Sequence, residues 1–249
     1  MGILTFRMEL ASQNLHTLYQ QLGDLRGDFR NYNLYRFILK RARGKSILDI
    51  GCGAGHFLNL ASERGYLTYG LEDSKDLIKL SEKIYKKDLG IKQGRVEDLG
   101  FQTKTFDTIV MIDVLEHIEN DQEVLSHIKE KLNTNGRLVI LVPAYQFLYG
   151  KRDKSIGHFR RYTRKELVSK LEDAGFKVKE SRYWNMLGIL PYFAAEKIMK
   201  KEFVLGFRGK KKRGILGNLV NKTLFKWFEL IENPINLGFG LSVMAVAEK

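Results

Sequence analysis

An apolar, β-branched run that ends in three alternating glycines constrains this chain more than any other feature. SILDI (46–50) leads directly into GCGAG (51–55) and then HFLNLAS (56–62), so a predicted strand turns into a predicted helix through Gly51, Gly53 and Gly55. Glycine lacks the Cβ that would block a sharp turn or a closely approaching ligand. A dinucleotide loop of the G-x-G-x-x-G kind needs Gly or Ala at position 56. His56 stands there instead, and a ring of that size obstructs a pyrophosphate, which argues against NAD and FAD.

Asp49 places a carboxylate just before the loop. It would repel a pyrophosphate, so the loop suits a ligand without phosphate, and adenosylmethionine is one. Glu72 closes the second predicted strand in YGLED. A carboxylate at that point accepts hydrogen bonds from both hydroxyls of a ribose. The competing reading is a tight structural turn with a solvated strand end.

Elsewhere, short β-branched runs alternate with amphipathic segments. After SILDI come a helix over 56–64, the strand YLTYGLE, a helix over 74–87 and a strand near 91–96. FDTIVMI (106–112) is followed by a helix around 120–132 and by GRLVILV, which ends at Pro143. Such alternation predicts parallel βαβ units. A polar, aromatic loop over 144–162 precedes a helix announced by Thr163 and Glu166, a capping-box pair. Strands are expected at 176–184 and 240–249. Residues 1–44 read as a helical cap that lies before the first strand, and 45–249 as the main domain, which carries a basic helical insertion at 185–238. No linker separates two domains.

The 249 residues can bury a full core. The single cysteine, Cys52, excludes an intramolecular disulfide or a cysteine-based zinc cluster and fits a reducing cytoplasm. The N-terminus is too polar after Leu4 for a signal peptide. The longest mostly apolar stretch, MLGILPYFAA, is about half of the roughly 20 residues a spanning helix needs.

The words ILDIGCGAG, GLEDS, GRVED, FDTIVMIDVLEHIEN, GRLVILVP and GHFRRYTRKELVSKLEDAGF together resemble the class I S-adenosylmethionine-dependent methyltransferases, particularly their bacterial and archaeal small-molecule branch. The likeness runs from Ile47 to Val178. It implies a Rossmann-like α/β fold: seven strands, mostly parallel, the last antiparallel, with helices on both faces. It also implies S-adenosyl-L-methionine as cofactor, adenine contacts from the Val96 backbone and from the side chain of Glu97 or Asp98, and a methionine part flanked by Ile112 and Asp113. DFRNYNLYRFILKRAR resembles the segment before the glycine loop in such enzymes, with Asp28 and Phe29 in place of their usual tryptophan pair.

Methyl transfer from a sulfonium is an in-line displacement in which alignment and exclusion of water matter most. A hydroxyl acceptor benefits from a general base, and His117 in LEHIEN and His158 in GHFRRY are the candidates. Each also has a structural reading, as a helix-start residue and as an organiser of Arg160, Arg161 and Tyr162. Glu116 reads as structural. Spacing gives a metal reading of Glu116, His117 and His158 no support, so no metal is expected.

The formal charge of +13 predicts attraction to something acidic. Much of it crowds the 185–238 insertion, in Lys197, Lys200, Lys201, Arg208, Lys210, Lys211, Lys212 and Arg213, beside apolar and aromatic runs. That mixture fits a helical cap with a solvated basic face, peripheral contact with an anionic membrane, or nucleic acid. The expected function is methylation, at oxygen, of a small-molecule or lipid-linked acceptor by a cytoplasmic enzyme, peripheral at the inner membrane surface if the membrane reading holds. An RNA-directed methyltransferase and a non-catalytic cofactor-binding partner protein are the alternatives.

Overall fold

In the computed structural model, residues 28–96, 104–201 and 215–249 are described. Seven strands form one sheet in the order β3-β2-β1-β4-β5-β7-β6. In chain order the main elements are α1 (Phe29–Leu39), β1 (Ser46–Ile50), α2 (His56–Ser62), β2 (Leu67–Glu72), α3 (Lys75–Tyr85), β3 (Ile91–Gln93), β4 (Phe106–Ile112), α4 (Asp121–Glu130), β5 (Leu132–Pro143), α5 (Lys151–Ser155), α6 (Arg164–Asp173), β6 (Lys177–Trp184), α7 (Ile189–Phe193), α8 (Ile215–Trp227) and β7 (Ser242–Glu248). β7 runs antiparallel between β5 and β6, and the other strand pairs are parallel.

Both faces of the central strands are apolar, as a parallel sheet covered on two sides requires. Leu48, Ile50, Ile109 and Met111 meet Leu125 and Ile128 of α4 and Leu167 and Leu171 of α6 in one core. Ile47, Val110, Val139 and Met244 face the other way, against Leu34 and Ile38 of α1 and Phe57 and Leu58 of α2. Thus α1 lies in the core beneath the sheet. Its N-cap is Asp28, whose carboxylate accepts the Arg30 and Asn31 N–H groups, and its end is tied to β6 by a two-pronged Arg41–Glu180 pair at 2.7 and 2.8 Å.

The capping box appears as read. Thr163 Oγ1 accepts the Glu166 N–H, and Glu166 accepts the Thr163 N–H at 2.7 Å, a pairing whose N-cap half contributes about 1 kcal/mol. Three expectations shift. The strand expected near 91–96 covers only Ile91–Gln93. The helix expected over 120–132 stops at Glu130, because β5 begins at Leu132 to pair with Phe106. The loop over 144–162 contains a 3-10 turn, Gln146–Leu148, and the short helix α5, which places Asp153 inside the fold.

The carboxyl ends of the six parallel strands share one edge. Three of them are followed by non-glycine residues in the left-handed region, Asp113 after β4, Tyr145 after β5 and Asn185 after β6. Each is a place where the chain leaves the sheet abruptly.

Candidate functional site

At the end of β1 the ladder persists one step into the loop, where Gly51 and Cys52 both donate to the Leu71 carbonyl, at 2.8 and 3.2 Å. Gly51, Gly53 and Gly55 all have positive φ. A Cβ on Gly51 would also lie 2.5 Å from Val114 Cγ2, and one on Gly55 2.8 Å from Ser81 Oγ. Glycine is therefore required there both by backbone conformation and by space. His56 opens α2 with its ring turned to the Tyr85 hydroxyl of α3, edge-on to that ring.

Glu72 is drawn into the same loop. Its carboxylate accepts the Gly53 N–H at 2.8 Å and the Ser74 N–H at 3.0 Å. Burial pushes its carboxyl up to about 7 even though both N–H groups pull the other way. Asp49 is buried beside it, and burial, then the Glu72 charge, raises it well above the usual range. Two carboxyl groups at the foot of the loop offer oxygen acceptors to the hydroxyls of a ribose. On this donor set adenosylmethionine fits.

Val96 is buried in the core, so a role through its backbone is the one open to it. Glu97 and Asp98 lie outside the described residues. Ile112 is half-buried at the end of β4, and Asp113 follows it with φ +54.

Immediately beyond, a 3-10 turn, Leu115–His117, carries the second group of candidates. The His117 N–H donates to the Val114 carbonyl at 3.0 Å, so the residue that packs on Gly51 also seats the histidine turn. His158 comes from the far loop to meet it, with ring centroids 4.5 Å apart and planes at 88°. The His158 Nδ1 lies 2.8 Å from Asp153 Oδ1, and its Nε2 lies 3.6 Å from Glu116 Oε1.

Asp153 is the hub of this group. It is fully buried and also takes Arg161 Nε at 2.8 Å, the Tyr192 hydroxyl at 2.9 Å and the Gly150 N–H at 2.8 Å. Burial alone would raise its carboxyl, but the bonds from His158 and Arg161 outweigh that and hold it well below the usual range. Glu116 is the opposite case. It is fully buried, and among the described residues neither carboxylate oxygen has a hydrogen-bond partner. Burial, then the Asp113 charge, raises it well above the usual range. His117 is pushed down to about 3, chiefly by burial and next by His158.

Ligating atoms of Glu116, His117 and His158 all lie within 4.8 Å of one another, a grouping able to take a metal ion. Sequence spacing concealed it, because His158 arrives from beyond β5. Asp153 and Tyr192 were also missed: no periodicity links an aspartate in a five-residue helix to a histidine five positions on.

A parallel sheet, a glycine turn after its first strand and an acidic residue at the end of its second define a Rossmann-like nucleoside-cofactor protein. The methyltransferase-domain family model matches residues 24–181, and the chain belongs to that family, as a class I S-adenosylmethionine-dependent methyltransferase. Among relatives, it is 24% identical over 156 residues to a probable S-adenosylmethionine-dependent methyltransferase of Mycolicibacterium smegmatis, covering 61% of this chain and 60% of that one. It is 35% identical over 103 residues to the mitochondrial ubiquinone biosynthesis O-methyltransferase of Schizosaccharomyces pombe, covering 39% and 37%. The chain thus spans less than two thirds of the length of these relatives. A solved S-adenosylmethionine-dependent methyltransferase of Thermotoga maritima, described as a possible histamine N-methyltransferase, shares the fold at TM-score 0.59 and 15% identity over the full length of both. One from Archaeoglobus fulgidus does so at 0.58 and 21%, over 90% of this chain and 96% of that one.

Proposed function

We propose that this protein methylates an oxygen of a small-molecule or lipid-linked acceptor, with His158 as the general base. The observation that carries this reading is the Asp153–His158 contact. An imidazole whose Nδ1 proton is held by a carboxylate presents Nε2 as its basic atom. His117 is a neutral partner, since a group pushed down to about 3 cannot hold a proton at working pH.

When bound, adenosylmethionine supplies a methyl on a positive sulfur, ready for displacement. The chain's own residues do the rest. Glu72 would accept from the ribose hydroxyls, the glycine loop would let the ligand approach, and Ile112 and Asp113 would flank its methionine part. His158 Nε2 would take the acceptor's hydroxyl proton as the methyl is transferred, and Asp153 would steady the resulting imidazolium. The ubiquinone O-methyltransferases among the relatives support an oxygen acceptor.

The test begins with calorimetric titration by S-adenosylhomocysteine, with NAD as control, followed by labelled-methyl transfer to phenolic and lipid extracts. Binding of S-adenosylhomocysteine alone and label on an oxygen are expected. Label on nitrogen or on RNA would overturn the acceptor, and a tight complex without turnover would favour a non-catalytic partner protein.

A further inference from the structure

Two turns in the 185–238 segment reverse the usual pattern of a surface helix. α7 continues through a π-helical turn, Ala194–Ile198. Its inward side is polar. Tyr192 donates to Asp153, and Glu196, 5% exposed, accepts the Lys151 N–H at 2.7 Å, at the start of α5. Its outward side is apolar: Leu190 is 79% exposed and Ile198 68%, with Leu187, Phe193 and Met199 also outside.

The second π-helical turn, Phe228–Glu232, shares part of this arrangement, with Glu232 buried beside Phe228. Glu232 is buried and accepts from Trp227 Nε1 at 3.0 Å and from the Met186 N–H at 3.1 Å, while Leu230 and Ile235 face out. A helix bathed in water does the reverse. Single exposed leucines carry no message, but of the twelve large apolar side chains exposed among the described residues, ten fall within 187–239. Such a concentration marks an interaction surface.

Charge selects the partner. Lys200 and Lys201 follow Met199 and are exposed, as are Lys222 and Lys226 on α8, and the sequence between adds Arg208, Lys210, Lys211, Lys212 and Arg213. Cations beside outward apolar residues match an anionic lipid surface, where headgroups meet the lysines and the acyl boundary takes the leucines. No helix among the described residues is long and apolar enough to cross a membrane, so the fit is to a bilayer's surface.

The geometry points to an interfacial anchor: α7 and its π-helical turn seat on an anionic bilayer, and Tyr192 joins that seat directly to the Asp153–His158 pair. Delivery of a lipid-linked acceptor from the bilayer to this site rests on the proposed function above; the docking itself does not.

Flotation of the full chain with phosphatidylcholine vesicles, with and without phosphatidylglycerol, tests the docking. Flotation is expected only with the anionic vesicles, and Leu190→Asp with Ile198→Asp should weaken it about tenfold or more, the scale set by leucine burial. Lys200→Glu with Lys201→Glu should weaken it about tenfold as well. S-adenosylhomocysteine affinity should be unchanged in both, which shows that the variants are folded. Should the aspartate pair lose that affinity, Leu190→Ser alone replaces it, with weaker flotation again expected. Absence of flotation by the wild type overturns the proposal. So does wild-type flotation by the apolar variants, which would make charge the only attraction, or salt-sensitive RNA binding by a protein that ignores vesicles. Failure of the methyltransferase reading is seen separately, as loss of S-adenosylhomocysteine binding in a wild type that still floats.

Discussion

Glu72 and Gly53 are joined through a 2.8 Å hydrogen bond in which the glycine loop donates its own backbone N–H to the carboxylate proposed to hold the ribose. Loop and acidic residue therefore form one unit, and disturbing either changes both. Glu72→Ala should weaken S-adenosylhomocysteine binding by roughly 1.5–3 kcal/mol, the worth of charge-assisted hydrogen bonds. Unchanged calorimetric affinity would remove the ribose assignment.

The same residue makes binding depend on pH. Glu72 is raised to about 7 in the folded protein, above its value in the unfolded chain. Its contribution to stability is therefore complete in acid and is lost as pH rises from the ordinary carboxylate range through about 7. An ionised carboxylate accepts from ribose hydroxyls more strongly than a neutral one. Affinity for S-adenosylhomocysteine should thus climb between about pH 6 and pH 8 and then level, and Glu72→Gln should flatten the profile.

Asp153→Asn should lower turnover by about 10²–10⁴-fold, the range over which an oriented base contributes, while leaving S-adenosylhomocysteine affinity near wild type. A parallel loss of both would make Asp153 a purely structural hub.

Tyr192→Phe removes the hydroxyl that reaches Asp153 Oδ2 from the insertion. The expected cost is about 1 kcal/mol of stability, read in chemical denaturation, with turnover reduced less than by Asp153→Asn.

Gly51→Ala places a methyl group 2.5 Å from Val114 Cγ2 at a φ of +68°. Destabilisation of roughly 1–3 kcal/mol is expected. Adding Val114→Ala should relieve the contact but not the backbone strain, so a double-mutant cycle should show partial recovery.

What could be read from the sequence was local. The turn from Ile50 through Gly55, the strand FDTIVMI and the Thr163–Glu166 cap each announce themselves within a few residues, because strand and helix periods and capping chemistry are short-range. The hub at Asp153 was not readable, since its partners His158, Arg161 and Tyr192 converge only when the loop after β5 folds back beneath the insertion. Glu116 was read as structural because nothing in LEHIEN says that its carboxyl will be buried within reach of His158. The segment after β6 showed its cations and its apolar residues, but not that Glu196 and Glu232 would turn inward, which depends on an extra residue in each π-helical turn.

β7 comes after β6 in the chain yet separates it from β5. While the protein is being synthesised, β6 can therefore form no ladder with the growing sheet until residues 242–248 have left the ribosome and slipped in between. The glycine loop and the β1–β4 pairing can form well before that. The strands that flank the glycine loop can thus pair before β6 joins the sheet, and a nascent chain stalled before β7 should hold its first half folded and its α6–β6 unit waiting.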